Sequence, residues 1–475
     1  MRLCLHRCAT IGEVKAMVMD AILEKFVAKS PVTVMARAAM ENALAPAVLD
    51  ALFARTAQTQ YVRELLFSSV VELMGMVVGK IQPSIRAAYE SVKDSLPVTL
   101  ASVYNKINAT EPSVVAALVS KTAERLGDVI DAMGGRLPAL LEGHRVRIID
   151  GNHLASTERR LEPLRGSKAG PLPGFALVVL DADRMLATNM VPCEDGHAQE
   201  RSLSQEILDM ASAKDVWVAD RNFCTTMLLA GLAKRGSFFV MRHHANMTIA
   251  TAGTRRSGGR TETGAVFEQQ VTVADLDNKP MALRLVTIQL DKPTRDGDKE
   301  MAILTNLPAK VANTTAIAEL YRKRWTLETM FLTLTQILEG EITTLGHPRA
   351  ALLGFGTALV SYNIYSAVQA ALRAEFGVEK VQNELSGYSV ANAVQSTMGG
   401  MEIAVESTTW KAFQTMSPEK LGHELRRYAR HVNLQRFKRS VRGPKKPRTP
   451  RTKYTDKPHV STARLLAASK VPRSP

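Results

Sequence analysis

One short run decides the fold of this 475-residue chain, Arg145-Val146-Arg147-Ile148-Ile149-Asp150-Gly151. Its β-branched residues, followed by an acid and a glycine, predict a strand that delivers Asp150 to its end. An acid at the end of a strand with a polar turn behind it is expected to be exposed. The run therefore predicts both a sheet and a side chain that can meet a ligand.

The sequence after this strand predicts further strands and helices. Phe175–Leu180 and Met185–Val191 flank a polar turn and predict a β-hairpin. The later helices and strands are predicted at 201–213, 215–219, 225–235 and 237–242. The strand at 215–219 ends in a second acid, Asp220. This order predicts a mixed α/β fold, with helices packed against a mixed sheet rather than an alternating parallel one.

The sequences that precede and follow these elements have a different spacing of apolar residues. Residues 1–134 have helical spacing of apolar residues with breaks at prolines, and predict a helical N-terminal domain. Within it, short helices at 33–44 and 47–54 are compatible with a DNA-binding helix-turn-helix, and a plain helical bundle is an equal alternative. Residues 245–305 lose the helical period and predict a β insertion. It divides the core into 135–244 and 306–345.

Residues 346–433 predict a helical C-terminal domain. The apolar run Leu352–Ala371 is long enough to raise the question of a membrane span. Because the run contains Ser361, Asn363 and Gln369, a buried helix in a protein without a membrane partner is the better interpretation.

The net charge of +15 is concentrated in a basic tail at 434–475. Residues 436–475 contain thirteen Lys and Arg residues and one acid, Asp456. A proline-rich segment with so few apolar residues is predicted to be disordered and suits a polyanion, although a merely solubilising tail is the alternative. The four cysteines form no CxxC pair, and no apolar signal segment opens the chain. These features predict a cytoplasmic protein.

A helix is predicted at Tyr321–Leu334, with one apolar face for burial. Tyr321, Arg324 and Glu328 stand at i, i+3 and i+7 and share a neighbouring ridge. Arg324 and Glu328 could form a plain surface ion pair. Alternatively, Glu328 joins Asp150 and Asp220, since three carboxylates brought together repel one another unless a cation lies among them.

Carboxylate oxygens suit Mg²⁺ or Mn²⁺, and two such ions can drive an in-line phosphoryl displacement. A chain with 46 acids contains many such triples, so spacing alone does not identify this one.

Local motifs add a resemblance. Tyr321-x2-Arg324-x3-Glu328, with Trp325 after Arg324, follows the predicted strand at 303–307. Asp220-Arg221-x-Phe223, Gly196-His197-x2-Glu200 and the stretch from Leu353-x-Phe355 to Tyr362-Asn363 complete the pattern. Over roughly residues 145–365 the sequence resembles the DDE-class cut-and-paste transposases, closest to the insertion-sequence-four family.

The resemblance implies a ribonuclease-H-like core, with Asp150, Asp220 and Glu328 as the catalytic, metal-binding triad for two Mg²⁺ or Mn²⁺ ions. It implies double-stranded DNA as partner, both transposon ends and target, bound by a homodimer in a bacterial cytoplasm, close to the nucleoid. Water would nick the element end, and the freed 3′-hydroxyl would attack the opposite strand or the target.

Candidate DNA contacts are the basic and phenolic side chains near these elements: Tyr321, Arg324, Arg221, Arg242, Lys323, Arg255, Arg256, Arg260, Arg439, Arg442, Lys445 and Lys446. For Arg242 an ion pair is an equal alternative. For the three arginines of the glycine-rich stretch at 253–260, the alternative is a solvated loop. Trp325 is expected to pack rather than to stack on a base.

Two features of the sequence depart from the family pattern. Thr335 stands where the signature has a lysine, seven residues after Glu328, so one phosphate contact is lost or is supplied by Lys323. The β insertion contains no tryptophan, which puts base flipping and a hairpin step in doubt. Alternatives are a related nuclease without strand transfer and a catalytically impaired DNA-binding remnant. A zinc site is disfavoured because the histidines lack metal-ligand spacing.

Overall fold

A computed structural model describes residues 21–60, 64–294, 297–440 and 458–470 of the chain. Three predicted DNA contacts, Arg442, Lys445 and Lys446, lie outside the described residues, as do Cys4 and Cys8. The predictions for these positions stay predictions.

The N-terminal region is helical, as the sequence predicts. Its helices are α1 (Ala21–Lys29), α2 (Pro31–Ala43), α3 (Pro46–Thr56), α4 (Phe67–Val78), α5 (Ile85–Val92), α6 (Leu100–Ala109) and α7 (Pro112–Ala132). Three of them begin at a proline, because the fixed φ of proline suits the first helical turn, where its missing N–H is not needed. The prolines expected to break helices therefore mark helix starts.

A mixed sheet forms the centre of the molecule. Its described strands are β1 (Arg145–His153), β3 (Phe175–Asp181), β4 (Leu186–Cys193), β5 (Asp215–Ala219), β6 (Phe238–Arg242), β7 (Ala250–Thr251), β8 (Arg256–Thr261), β9 (Gly264–Ala274), β10 (Pro280–Leu290) and β11 (Glu300–Thr305), while β2 (Gly170–Leu172) lies apart. The strand order is β4-β3-β1-β5-β6-β11-β10-β9-β7, with β8 beside β9. The pairs β1–β5 and β5–β6 are parallel, and β1–β3 and β3–β4 are antiparallel. The predicted mixed α/β fold is confirmed.

Both faces of this sheet are covered. In β5, Val216 and Val218 join the core that the helices of both termini build, whereas Trp217 and Ala219 join a second core. This alternation follows from the two-residue period of a strand. The second core includes buried residues of α9 (Ser204–Met210) and α10 (Thr226–Lys234). The short helix α8 (Glu162–Arg165) directly precedes β2 in the sequence. The site described below therefore stands on a sheet that is packed on two sides.

Two helices follow the sheet, α11 (Thr314–Arg322) and α12 (Trp325–Leu332), and both pack on its strands. The helices of the C-terminal region are α13 (Pro348–Phe376), α14 (Val378–Glu384), α15 (Gly387–Ala404), α16 (Ser407–Gln414) and α17 (Pro418–Ala429). Of these, α13, α15, α16 and α17 pack against helices of the N-terminal region. By length and composition α13 could cross a membrane, but 89% of its apolar window is buried inside the protein. It packs against α2, α4, α7 and α17. Asn363 fixes it to β4 through two hydrogen bonds with the backbone of Ala187, at 2.8 and 2.9 Å.

The predicted β insertion is not a separate sheet. Its strand β11 pairs antiparallel with β6, so β7 to β11 extend the central sheet. The loop predicted at 253–260 is also wrong in part, because Arg256–Thr261 form the edge strand β8. The register shifts between Ser257 and Gly259, where Gly259 has a φ of 111°. Glycine permits that conformation, which allows a bulged strand in a stretch whose composition is typical of a loop.

The prediction that the whole C-terminal tail is disordered is wrong for its described part. Residues His459–Ser461 form β12, which pairs in parallel with β2, and Thr462–Lys470 form α18. The side chains of Ser461 and Thr462 are buried, and Arg464 forms an ion pair with Asp195 at 2.7 Å. The average composition of the tail conceals this short segment, which carries its own β-branched and apolar residues.

Candidate active site

Two of the predicted acids follow adjacent parallel strands. Asp220 comes directly after β5, and Asp150 lies in β1, which continues to His153 rather than ending at Gly151. Ile148 and Val218 form the last residue pair between β1 and β5. The pairing of β1 with β3 continues from there to His153. The carboxyl ends of these two strands therefore bring Asp150 and Asp220 to one edge of the β1–β5 pair.

The environment of Asp150 differs from the sequence prediction. The prediction of an exposed acid is wrong, because only 16% of the Asp150 side chain is accessible. Burial raises its pKa to about 7, the guanidinium of Arg324 opposes this rise, and the nearby carboxylates of Glu200 and Asp220 add to it. Desolvation disfavours the charged form of a carboxyl group, so this site holds an acid that ionises near neutrality.

The predicted signature helix is interrupted at its functional residues. The helix α11 ends at Arg322 and α12 begins at Trp325, so the prediction of one continuous helix is wrong at Lys323 and Arg324. At this joint the N–H of Arg324 donates to the carbonyl of Tyr321 at 3.0 Å, a tighter turn than that of an α-helix. After α12 the chain widens into a π-helical turn over Thr333–Ile337. Thr335, the departure from the family pattern, lies in that turn.

Arg324 connects two members of the predicted triad. Its Nη1 donates to Asp150 Oδ2 at 2.9 Å, and its Nη2 donates to Glu328 Oε1 at 2.6 Å. The residue is only 9% exposed. The ion pair between Arg324 and Glu328 is therefore present, but it is not a plain surface pair, because Arg324 is buried and also binds Asp150 while 39% of the Glu328 side chain stays exposed. The guanidinium supplies positive charge where a metal ion between these acids would supply it.

A fourth acid, Glu200, lies beside the other three, and the sequence assigned it no role. Its carboxyl group bonds with the Asn222 side chain and the Gly151 N–H, burial raises its pKa, and Asp220 raises it further. Its Oε2 is buried and has no hydrogen-bond partner. A Cβ atom at Gly151 would lie 2.6 Å from Glu200 Oε1, so a glycine is needed for this approach. The only sequence signal was the Gly196-His197-x2-Glu200 motif.

The remaining predicted contacts near the acids fall into two groups. Arg221 and Lys323 are exposed next to Asp220 and Arg324, where they can reach a ligand. Tyr321 is only 4% exposed, and burial raises its pKa to about 12, so its role as a phosphate contact stays a prediction. Arg242 forms an ion pair with Asp298 at 2.6 Å, which is the alternative given for it.

The arginines of the strand region are distributed along an exposed edge. Arg255 pairs with Glu300 at 3.2 Å and Arg260 with Asp291 at 2.6 Å, while Arg256 is exposed on β8. In the C-terminal region, Arg439 is exposed, and its N–H donates to the carbonyl of Glu384 at 2.6 Å. Arg255 and Arg260 thus already have acidic partners, whereas Arg256 and Arg439 are exposed. The role of all four as phosphate contacts stays a prediction.

Trp325 is the exposed aromatic residue of the site. Its side chain is 59% accessible, and the guanidinium of Arg324 lies 5.4 Å from the centroid of its ring. The expectation that Trp325 packs in the core is therefore wrong. The other two tryptophans, Trp217 and Trp410, are the ones that fill cores.

A groove of about 1300 Å³ opens beside Glu200 and Asn222. Histidines from four segments line it, namely His153, His197, His244 and His459. The last of these is delivered by β12, so the C-terminal segment forms part of the groove wall. Burial lowers the pKa of His153, and the nearby imidazoles of His197 and His459 contribute. The groove thus carries polar donors and acceptors up to Glu200.

The segment that carries these acids is similar to a known protein family. Residues 141–364 match the family described as Transposase DDE domain. The matched segment runs from just before β1 into α13 and includes Asp150, Glu200, Asp220, Arg324 and Glu328. It covers a little under half of the chain and supports a DDE transposase, an enzyme that acts on DNA. A search of curated proteins found no match.

The acids of the matched segment fit a divalent cation by their chemistry. Carboxylate oxygens are the ligands that Mg²⁺ and Mn²⁺ prefer, and a buried carboxylate oxygen without a partner calls for a positive neighbour. In the described part of the chain, no three His, Cys, Asp or Glu side chains are already spaced to hold a metal ion. With Arg324 between Asp150 and Glu328, the acids would have to rearrange around an ion.

Proposed function

We propose that the protein is a cut-and-paste transposase of the insertion-sequence-four type, which cleaves its element ends and joins them to target DNA. The observation that carries the proposal is the bridge that Arg324 forms between Asp150 and Glu328, at the end of the β1–β5 pair that Asp220 follows, within the segment that matches the DDE domain. The order β4-β3-β1-β5-β6, antiparallel and then parallel, supports a ribonuclease-H-like core.

Asp150, Asp220 and Glu328 would hold Mg²⁺ or Mn²⁺. When bound, such ions activate the attacking oxygen and stabilise the leaving oxygen of a phosphodiester. The chain supplies positioning. Arg324 can exchange its carboxylate partners for a phosphate, which a guanidinium binds with two parallel hydrogen bonds. The exposed Arg221 and Lys323 stand next to it and can hold the flanking backbone.

The helical regions and the basic tail complete the proposal. The N-terminal helices would help to bind element ends, the C-terminal helices would serve assembly of a homodimer, and the tail would bind the DNA backbone. Neutralising Arg442, Lys445 and Lys446 together should lower the salt dependence of DNA binding by about 3 in the slope of log K against log salt. The docked segment at 458–470 stays intact in this variant, so an unchanged slope would reject these residues as phosphate contacts.

The test of the function is a cleavage assay on a duplex that carries the inverted repeats flanking the gene. The wild-type protein should cut this duplex with Mg²⁺ or Mn²⁺ and not with EDTA. Asp150→Asn, Asp220→Asn and Glu328→Gln should each abolish cutting and leave end binding intact in a gel-shift assay. The matched control is Glu206→Gln, which removes an exposed acid on α9 and should cut normally.

Three outcomes distinguish the candidate functions. Cut ends that become joined to a second DNA support the transposase, whereas cut ends that are never joined indicate a nuclease. A wild-type protein that binds the repeats without cutting them is a DNA-binding remnant. Cutting that survives in all three acid variants would overturn the proposed triad.

A further inference from the structure

We propose that the loop at residues 158–168, between β1 and β2, binds the phosphate backbone of DNA. This segment, called the basic loop below, carries Arg159, Arg160, Arg165 and Lys168, and none of the DNA contacts predicted from the sequence lies in it. The proposal rests on the proposed function and adds a binding surface to it. Its evidence is the charge of the loop, the contacts that hold the loop, and its place beside the groove.

The basic loop carries more positive charge than its own acids balance. Its four basic side chains are exposed, and Arg160 forms an ion pair with Glu158 at 2.7 Å. The other three basic side chains form no ion pair with a described acid, in contrast to Arg255 and Arg260 on the sheet edge. With Glu162 as the second acid, four positive and two negative charges leave the loop at +2. Such a surface suits a polyanion.

The two unpaired arginines of the loop are held by its own backbone. Arg159 Nη2 donates to the carbonyl oxygens of Lys168 and Ala169, at 3.0 and 3.4 Å. Arg165 Nη2 donates to the carbonyl oxygen of Arg160 at 3.3 Å. A guanidinium has five N–H donors, so each of these arginines has donors left for a ligand. Because its side chain is already restricted, less rotamer freedom is lost when a phosphate binds.

Two other parts of the chain hold the basic loop in place. The N–H of Glu158 donates to the carbonyl of Thr343 at 2.9 Å, in the segment that follows the π-helical turn after α12. On the other side, β2 pairs with β12, and α8, which lies within the loop, contacts α18. Leu164 of α8 is fully buried. The loop is therefore a positioned surface, attached to the stretch behind the signature helix and to the docked C-terminal segment.

The basic loop continues from the wall of the groove that opens beside Glu200. Ser156, two residues before the loop, and His459 both line this groove. A Cβ atom at Gly170, two residues after the loop, would lie 3.0 Å from a side-chain atom of each of them. The groove thus extends from Glu200, close to the candidate active site, to both ends of the loop. A DNA strand that reaches the acids along this groove passes the loop with its phosphates.

The experiment measures DNA binding of the full-length chain by fluorescence anisotropy between 50 and 200 mM salt, in EDTA so that nothing is cut. The test variant combines Arg159→Gln, Arg165→Gln and Lys168→Gln. Each lost phosphate contact lowers the slope of log K against log salt by about 0.9, so the variant should have a slope about 2.7 smaller than the wild type. One probe is a duplex with the inverted repeats that flank the gene, and the other is a duplex of equal length without them.

Two controls separate charge from structure and from general surface charge. Arg159→Lys combined with Arg165→Lys keeps both charges and should keep the wild-type slope. The matched control neutralises three exposed lysines on α14, α16 and α17, namely Lys380, Lys411 and Lys420, by glutamine, and should also bind like the wild type. A lysine variant that loses as much slope as the glutamine variant would overturn the proposal, since the loop would then act through its structure. A matched control that loses as much slope would overturn it as well.

The two duplexes distinguish the sources of the phosphates. A smaller slope with the repeat-bearing duplex supports contact with the element end, and a smaller slope with the repeat-free duplex alone supports contact with target DNA. An unchanged slope on both duplexes overturns the proposal. The proposed function fails separately, because a wild type that binds the repeats without cutting them in Mg²⁺ refutes the transposase and leaves the comparison of slopes intact.

Discussion

The metal-free protein should become more stable when Asp150 is changed to asparagine, and the gain should grow with pH. The pKa of Asp150 rises from 3.8 to about 7 on folding, because the side chain is buried beside two other acids. Between these two values the folded protein holds a proton that the unfolded chain has released. The free energy of unfolding therefore falls as pH rises from about 4 to 7 and stays low above that range.

The size of the effect follows from the same values. A pKa difference of about 3 corresponds to about 4 kcal/mol, since each pKa unit is about 1.4 kcal/mol. About 2 kcal/mol of this cost is present at pH 5 and nearly all of it at pH 8. Asparagine at position 150 cannot ionise. The advantage of Asp150→Asn over the wild type should therefore increase by about 2 kcal/mol between pH 5 and pH 8.

The assay is denaturant unfolding at both pH values in buffer with EDTA, followed by circular dichroism. Asp298→Asn is a control of opposite sign, because the hydrogen bond from Arg242 lowers the pKa of Asp298. The stabilising contribution of Asp298 is present above its unfolded pKa and is lost as pH falls. Asp298→Asn should therefore be less stable than the wild type by nearly the same margin at pH 5 and pH 8, because both values lie above the unfolded pKa of 3.8.

Two results would refute the reasoning about Asp150. One is an Asp150→Asn protein whose unfolding free energy differs from that of the wild type by the same amount at pH 5 and pH 8. The other is a variant that is less stable than the wild type at pH 8, which would mean that the carboxylate is stabilised by its surroundings. Added Mg²⁺ should reduce the advantage of the variant at pH 8, because a ligand that binds only the folded wild type stabilises it.

Three further perturbations test separate parts of the structure. Arg284→Met should lower the free energy of unfolding by about 3 kcal/mol in denaturant titrations, because it leaves Glu268 without the two hydrogen bonds at 3.0 and 2.8 Å. Trp325→Phe should remove most of the acrylamide quenching of intrinsic fluorescence, since the other two tryptophans are buried. Thr335→Lys should tighten DNA binding and steepen its salt slope by about 0.9 in gel-shift titrations, because it adds one phosphate contact.

Local patterns in the sequence were sufficient for most of the elements. The strand predicted at 215–219 is β5 with the same bounds, and the helix predicted at 225–235 is α10, one residue shorter at each end. Periods of 3.6 and 2 residues arise from burial of one face, which is a local property of each element. The order of such elements was then enough to predict a mixed sheet.

The details of the site were not local. Arg324 and Asp150 are separated by 174 positions, and no period in the sequence reports that they share a hydrogen bond. The burial of Asp150 depends on how Glu200, Asp220 and Arg324 close around it. The approach of Glu200 depends in turn on the missing Cβ of Gly151. The docked segment at 458–470 was missed because composition was averaged over a tail with two different parts.

Arg324 connects these features into one chemical argument. In the metal-free protein its guanidinium balances Asp150 and Glu328, and this is the arrangement that a phosphate would disturb, because guanidinium binds phosphate and carboxylate with the same geometry. If Arg324 moves to a phosphate, Asp150 and Glu328 lose their positive partner and gain affinity for a cation. If a cation binds first, Arg324 is released for the phosphate. Under the proposed function, DNA and metal ions therefore favour each other's binding by the same factor, as thermodynamic linkage requires.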